Sequence, residues 1–130
     1  MRIQIDAIDS SDSVTRVHFK CGRGDAVAQW ASATAPSKGS EYIVEIDIEA
    51  EIDFSKNALL CPELRYGVSS DDSFVTFYGK IEGQDDDRMA YLRLSEDCLI
   101  MCESVDSELA DKPIRLTVPI AQVRVTPIGA

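Results

Sequence analysis

The sequence predicts an all-β, mainly antiparallel protein: a small barrel of OB-like plan, or a sandwich, of six to eight strands with at most one short helix. Three observations carry this expectation. Apolar and polar residues alternate with period two along most of the chain, helical periodicity is scarce, and clusters of Asp, Ser, Gly and Pro separate the alternating runs. At 130 residues the chain suits one domain, 1–130, built on one core.

"RIQIDAI" puts Ile3, Ile5 and Ala7 on one face of a strand, and "SVTRVHFK" sets Thr15, Val17 and Phe19 against Arg16, His18 and Lys20. The turn formers "DSSDS" at 9–13 join them as a hairpin. "DAVAQWASATA" is alanine-rich and reads either as a short helix capped by Asp25 or as an irregular strand, before the loop signal "PSKGS". A long strand is expected from Tyr42 to Phe54. Residues 55–70 lack a steady period and read as a long connection, with one helical turn near 57–60.

"SFVTFYGKIEG" and "RMAYLRLSEDCLIMCE", joined through "QDDD", make the clearest hairpin. "SVDSELADKP" is a turn-rich loop. "IRLTV" and "AQVRVTPI" follow, as separate strands or as one strand bent at Pro119.

Composition narrows function. With 23 acidic and 13 basic residues the formal charge is −10. Direct binding to nucleic acid is disfavoured, because that affinity depends on Lys and Arg displacing counterions. A basic protein partner would instead be attracted and steered. No apolar run approaches the roughly 20 residues of a membrane helix, so no membrane association is expected. The opening "MRIQIDAIDSSDS" has no signal-peptide core, which points to a cytoplasmic protein. Cys21, Cys61, Cys98 and Cys102 form no CxxC pair and read as buried reduced thiols.

Catalytic motifs are sparse. His18 is the one histidine and falls in mid-strand, no GxSxG elbow is present, and "CGRGDA" lacks both the phosphate-loop spacing and its lysine. "QDDDR" and "DDS" offer only the start of a calcium-loop pattern, and turn-forming aspartates explain them more simply. Nothing singles out a pair of carboxylates for hydrolysis. No enzymatic activity, cofactor or metal is therefore expected.

The most unusual stretch is "VEIDIEAEIDF" at 44–54. Its apolar register (Val44, Ile46, Ile48, Ala50, Ile52, Phe54) should face the core. Its other register aligns Glu45, Asp47, Glu49, Glu51 and Asp53 at about 6.6–6.8 Å intervals. Such a row would resemble a phosphate backbone to a basic groove. The competing expectation is a ladder of ion pairs with Arg16, His18, Lys20, Arg93, Arg115 or Arg124 on flanking strands, each pair worth little.

The functional reading is a non-enzymatic acidic binding protein: an immunity or inhibitor protein that neutralises a basic toxin, nuclease or other nucleic-acid-binding protein. Asp71 and Asp72, and Asp85, Asp86 and Asp87, would extend its acidic patch, and Trp30 would serve as an aromatic anchor if exposed. The alternative is an OB-like structural or assembly module of a larger complex.

Overall fold

The computed structural model describes residues 1–11 and 13–128, so Asp12 of the predicted first turn lies outside the described residues. The strands are β1 (Arg2–Ser11), β2 (Val14–Cys21), β3 (Gly24–Trp30), β4 (Glu41–Ile48), β5 (Ala58–Leu60), β6 (Gly67–Ser70), β7 (Phe74–Gln84), β8 (Met89–Ser95), β9 (Cys98–Glu103), β10 (Pro113–Pro119) and β11 (Val123–Pro127). A single 3-10 turn, Ile120–Gln122, separates the last two. No α-helix occurs among the described residues. The fold is therefore all-β, with more and shorter strands than the six to eight expected.

Five strands close into a barrel. β1 pairs β2, β2 pairs β3, β3 pairs β11 in parallel, β11 pairs β4, and β4 returns to β1. This is the small barrel of the sequence expectation. The strands between β4 and β11 form a second sheet arm, ordered β6–β7–β10–β5, with β8 and β9 built onto the far half of β7.

The alanine-rich run is a strand because of what lies beside it. Ala26 and Ala28 point inward and are paired with Phe19 and Val17 of β2, so small residues make room for large ones. The expected helix is absent, and residues 31–40 form an irregular loop. The turn near 57 is also not helical; it delivers the chain into β5. Beyond Asp6 a register shift ends the barrel face of β1, which turns Ala7 and Ile8 outward rather than keeping Ala7 in the core.

Two glycines are required by close approach. Gly24 sits at φ +133°, and a Cβ there would run into the carbonyl oxygen of Val68 where β3 meets β6. Gly79 marks the point where one edge of β7 passes from β6 to β8. A Cβ on Gly79 would collide with the carbonyl oxygen of Arg93.

Burial sorts the cysteines into two classes. Cys98 and Cys102 lie on the inner face of β9, whereas Cys21 and Cys61 are only half-buried, and all four are free thiols. Burial pushes the Cys98 thiol up to about 11 and the Cys102 thiol up to about 12.

Gly79→Ala should lower stability by about 1–3 kcal/mol in urea unfolding through overpacking against fixed backbone. Gly22→Ala, where a Cβ meets nothing within 4 Å, should change it by less than about 0.5 kcal/mol. Iodoacetamide at pH 8, read by mass spectrometry, should modify Cys98 and Cys102 only after unfolding.

Candidate functional site

The apolar register of 44–54 behaves as its alternation demands. Val44, Ile46, Ile48 and Ile52 are buried, while Ala50 and Phe54 pack partly against the core. The continuous strand does not exist, however. β4 ends at Ile48, the chain bends at Ala50, and Ile52 makes an isolated parallel bridge to Ser104. Phe54 then opens a turn held by Asp53 and Asn57. Asn57 accepts from the Asp53 N–H at 2.9 Å and donates its amide to the Glu51 carbonyl at 2.8 Å.

The five carboxylates consequently meet four different surroundings. Glu45 and Asp47 stand exposed on the outer face of β4 and make no ion pair among the described residues. Asp47 lies directly across from Arg124 of β11, yet that guanidinium reaches along to Glu49, at 2.7 Å. Glu51 approaches Arg88 at 3.5 Å. Asp53 accepts from the Ser55 hydroxyl at 2.6 Å and its N–H at 2.9 Å, which hold its carboxyl below the usual range.

The predicted ladder of cations is also redistributed. Lys20 and His18 of β2 serve Asp6 and Asp25, with His18 Nε2 2.8 Å from Asp25 Oδ2. Arg93 makes a two-pronged pair with Glu82, at 2.8 and 3.1 Å. Arg115 lies on β10, in the second arm, where it neighbours Tyr78 and Leu59. Of the six predicted partners, only Arg124 is on a strand beside the acidic one.

The aspartate loops divide between structure and display. Asp71 accepts from the N–H groups of Ser73 and Phe74, both at 2.8 Å, and so ties the β6–β7 turn. Asp85 does the same for the β7–β8 turn through Asp87 N–H, Met89 N–H and the Tyr91 hydroxyl. These bonds hold both carboxyls below the usual range. Asp72, Asp86 and Asp87 are exposed at the turn tips. Asp71 and Asp72 line a cleft with Arg16 and His18, separate from the outer face of β4.

Trp30 is not an exposed anchor. It is 8% exposed, donates its indole N–H to the Thr34 carbonyl at 2.8 Å, and meets Tyr42 edge-on with centroids 5.0 Å apart. Its role is to pin the loop after β3 to the barrel.

What sequence reading missed lies beside β4. A groove runs between β4 and β9, with Glu45 and Asp47 on one lip and Leu99 and Met101 on the other. Leu99 is 41% and Met101 59% exposed, and Met89 and Ile128 add apolar surface. Asp97 closes one end beside the Met1 ammonium, 3.9 Å away, and among the described residues no Lys or Arg lines the groove. The outward alternation of Leu99 and Met101 in "CLIMC" was a visible signal, but nothing in the sequence placed β9 next to β4. Among the described residues no cluster of three His, Cys, Asp or Glu side chains could hold a metal ion, and no helix is long and apolar enough to cross a membrane.

The lowered folded-state values of Asp53, Asp71, Asp85 and Glu82 set the sign of the acid response. Their contribution is fully present above the ordinary carboxylate range and is lost as pH falls through the lower folded values. Urea unfolding should therefore show little change between about pH 7 and 5 and a decline below about pH 4. Asp85→Ala should destabilise at pH 7, with its deficit narrowing over that acid decline.

No family model, no curated protein and no solved structure matches this chain.

Proposed function

We propose that this chain is a non-enzymatic binding protein that captures a basic protein through the groove between β4 and β9. One observation carries the reading. Glu45 and Asp47 are the two carboxylates of the acidic run that no cation or hydroxyl among the described residues engages, and they stand across from exposed Leu99 and Met101. Uncompensated charge beside apolar surface suits a partner that supplies both cations and buried area. The net charge of −10 would speed encounter with such a partner.

The concrete form of this activity is an immunity or inhibitor protein that neutralises a basic toxin, a nuclease or another nucleic-acid-binding protein. Carboxylates would then occupy the Lys and Arg side chains that otherwise hold phosphates.

A second reading, an assembly module of a larger complex, is favoured by a different feature. β5 pairs only with β10, leaving a free edge with Leu59 and Leu60 about half exposed.

Affinity purification from the native host, followed by kinetics against the captured partner, separates the two. Glu45→Lys/Asp47→Lys should cut the association rate by about 10-fold and flatten its salt dependence. Unchanged binding by this double variant would overturn the reading. Binding abolished instead by Leu59→Arg/Leu60→Arg would favour the assembly module.

A further inference from the structure

β4 and β9 lie side by side and run in the same direction, but they are not hydrogen-bonded along their length. At one end Ile52 N–H donates to the Glu103 carbonyl at 2.8 Å and Val105 N–H to the Ile52 carbonyl at 3.0 Å. At the other end Met1 sits between them, its ammonium donating to the Val44 carbonyl at 3.1 Å and the Asp97 carbonyl at 3.3 Å. The two strands are thus pinned at both ends and approach within 8 Å of one another between them, leaving a narrow unpaired slot.

The alternation of hydrogen bonds identifies what faces the slot. On β4, Ile43 accepts from Ile128 and Glu49 donates to Gln122, so the odd-numbered residues bond to β11. Even-numbered residues turn the other way. Val44 proves the direction, because its N–H and C=O are taken by Met1. Ile46 and Ile48 therefore direct their backbone groups into the slot.

On β9, Ser104 donates to the Arg88 carbonyl, so even-numbered residues bond to β8, and Glu103 turns its carbonyl to Ile52. Leu99 and Met101 direct theirs into the slot from the opposite side. No backbone hydrogen bond among the described residues takes these four residues' slot-facing groups. Two strand edges thus face one another across a groove, each a template for a further strand.

We propose that a short extended segment of the basic partner, alternating cationic and apolar residues, adds as a strand between β4 and β9, antiparallel to both. This inference rests on the binding function proposed above. The line of the segment continues that of β1, which is antiparallel to β4 and whose flanking residue Met1 already occupies the slot's end. Fitting a strand throughout requires about two interstrand spacings, roughly 9.6 Å, so binding draws β4 and β9 apart between their pinned ends.

Side-chain chemistry sets the alternation. Inward positions of the segment would meet Ile46, Ile48 and Ile100, which are buried and apolar. Outward positions would lie between Glu45 and Asp47 on one flank and Leu99 and Met101 on the other. A Lys or Arg fits there, its stem on the apolar flank and its charge on the carboxylates.

The test uses a fluorescein-labelled, end-capped octapeptide of alternating lysine and valine, read by anisotropy, with backbone amide exchange at Ile46, Ile48, Leu99 and Met101 read by NMR. The peptide should bind, the Glu45→Lys/Asp47→Lys protein should lose that binding, and those four amides should exchange more slowly. N-methylation of the peptide's valine amides, which keeps its charge, should weaken binding by at least about 10-fold.

Equal binding of the methylated and unmethylated peptides, without amide protection, would overturn strand addition while leaving acidic capture standing. A lysine–valine peptide that binds no tighter than its glutamate–valine counterpart would overturn both.

Discussion

The parallel pairing of β11 with β3, at Arg124–Gln29 and Val125–Trp30, holds the barrel shut. It closes the barrel with the chain's last strand, so everything between β4 and β11 must leave the barrel and return to it. The same closure seats β11 against β4, which places Arg124 among the acidic residues and buries Val123 and Val125 against the core. It also leaves β3 with a shared edge: β6 approaches at Gly24, the Ser70 hydroxyl accepts from Val27 N–H, and β11 takes over at Gln29. Contacts between residues so distant in sequence must overcome loop-closure entropy before they contribute, and this topology belongs with the slower-folding β class.

Charge is arranged by the same geometry. Five carboxylates in one straight row would repel at every second residue. The bend at Ala50 prevents that row from forming and sends Glu51 and Asp53 to Arg88 and Ser55. Glu49 alone receives the arginine that β11 provides. The residual negative charge is concentrated on Glu45 and Asp47, beside the apolar lip of β9. Of the other predicted cations, Arg93 is committed to Glu82 and Lys20 to Asp6, and no Lys or Arg among the described residues lines the groove.

The groove is a consequence of how β7 bends. Gly79 lets the far half of β7 exchange β6 for β8 as its neighbour, and the β8–β9 hairpin is thereby swung back alongside the barrel. β9 is hydrogen-bonded to the β4 chain at Ile52 and through Met1, and between these points the two strands lie close but unpaired. A sheet edge is normally a hazard that charged residues blunt. Here one edge is flanked by carboxylates and the other by Leu99 and Met101, a combination unfavourable to pairing with an acidic strand.

Local alternation was enough to give the class of the fold and the inward face of β1 up to Ile5, of β2 and of β4, whereas β3 stayed undecided and β5 and β6 were read as a connection. Period-two alternation reports burial directly, so Ile3 and Ile5, Val17 and Phe19, and Val44, Ile46 and Ile48 were legible as core. The β7–β8 hairpin was equally plain, because its turn residues and β-branched flanks are local. Tertiary structure decided whatever depends on a neighbour. Ala26 and Ala28 are strand residues because Phe19 and Val17 fill the space beside them. Trp30 is buried because Thr34 and Tyr42 enclose it. In the acidic register Glu49 is paired because β11 supplies Arg124, Glu51 and Asp53 are engaged because the chain bends at Ala50, and Glu45 and Asp47 are left beside the slot. Alternation records which way a side chain points, but it carries no information about which strand lies beside it, and that pairing is what makes the groove.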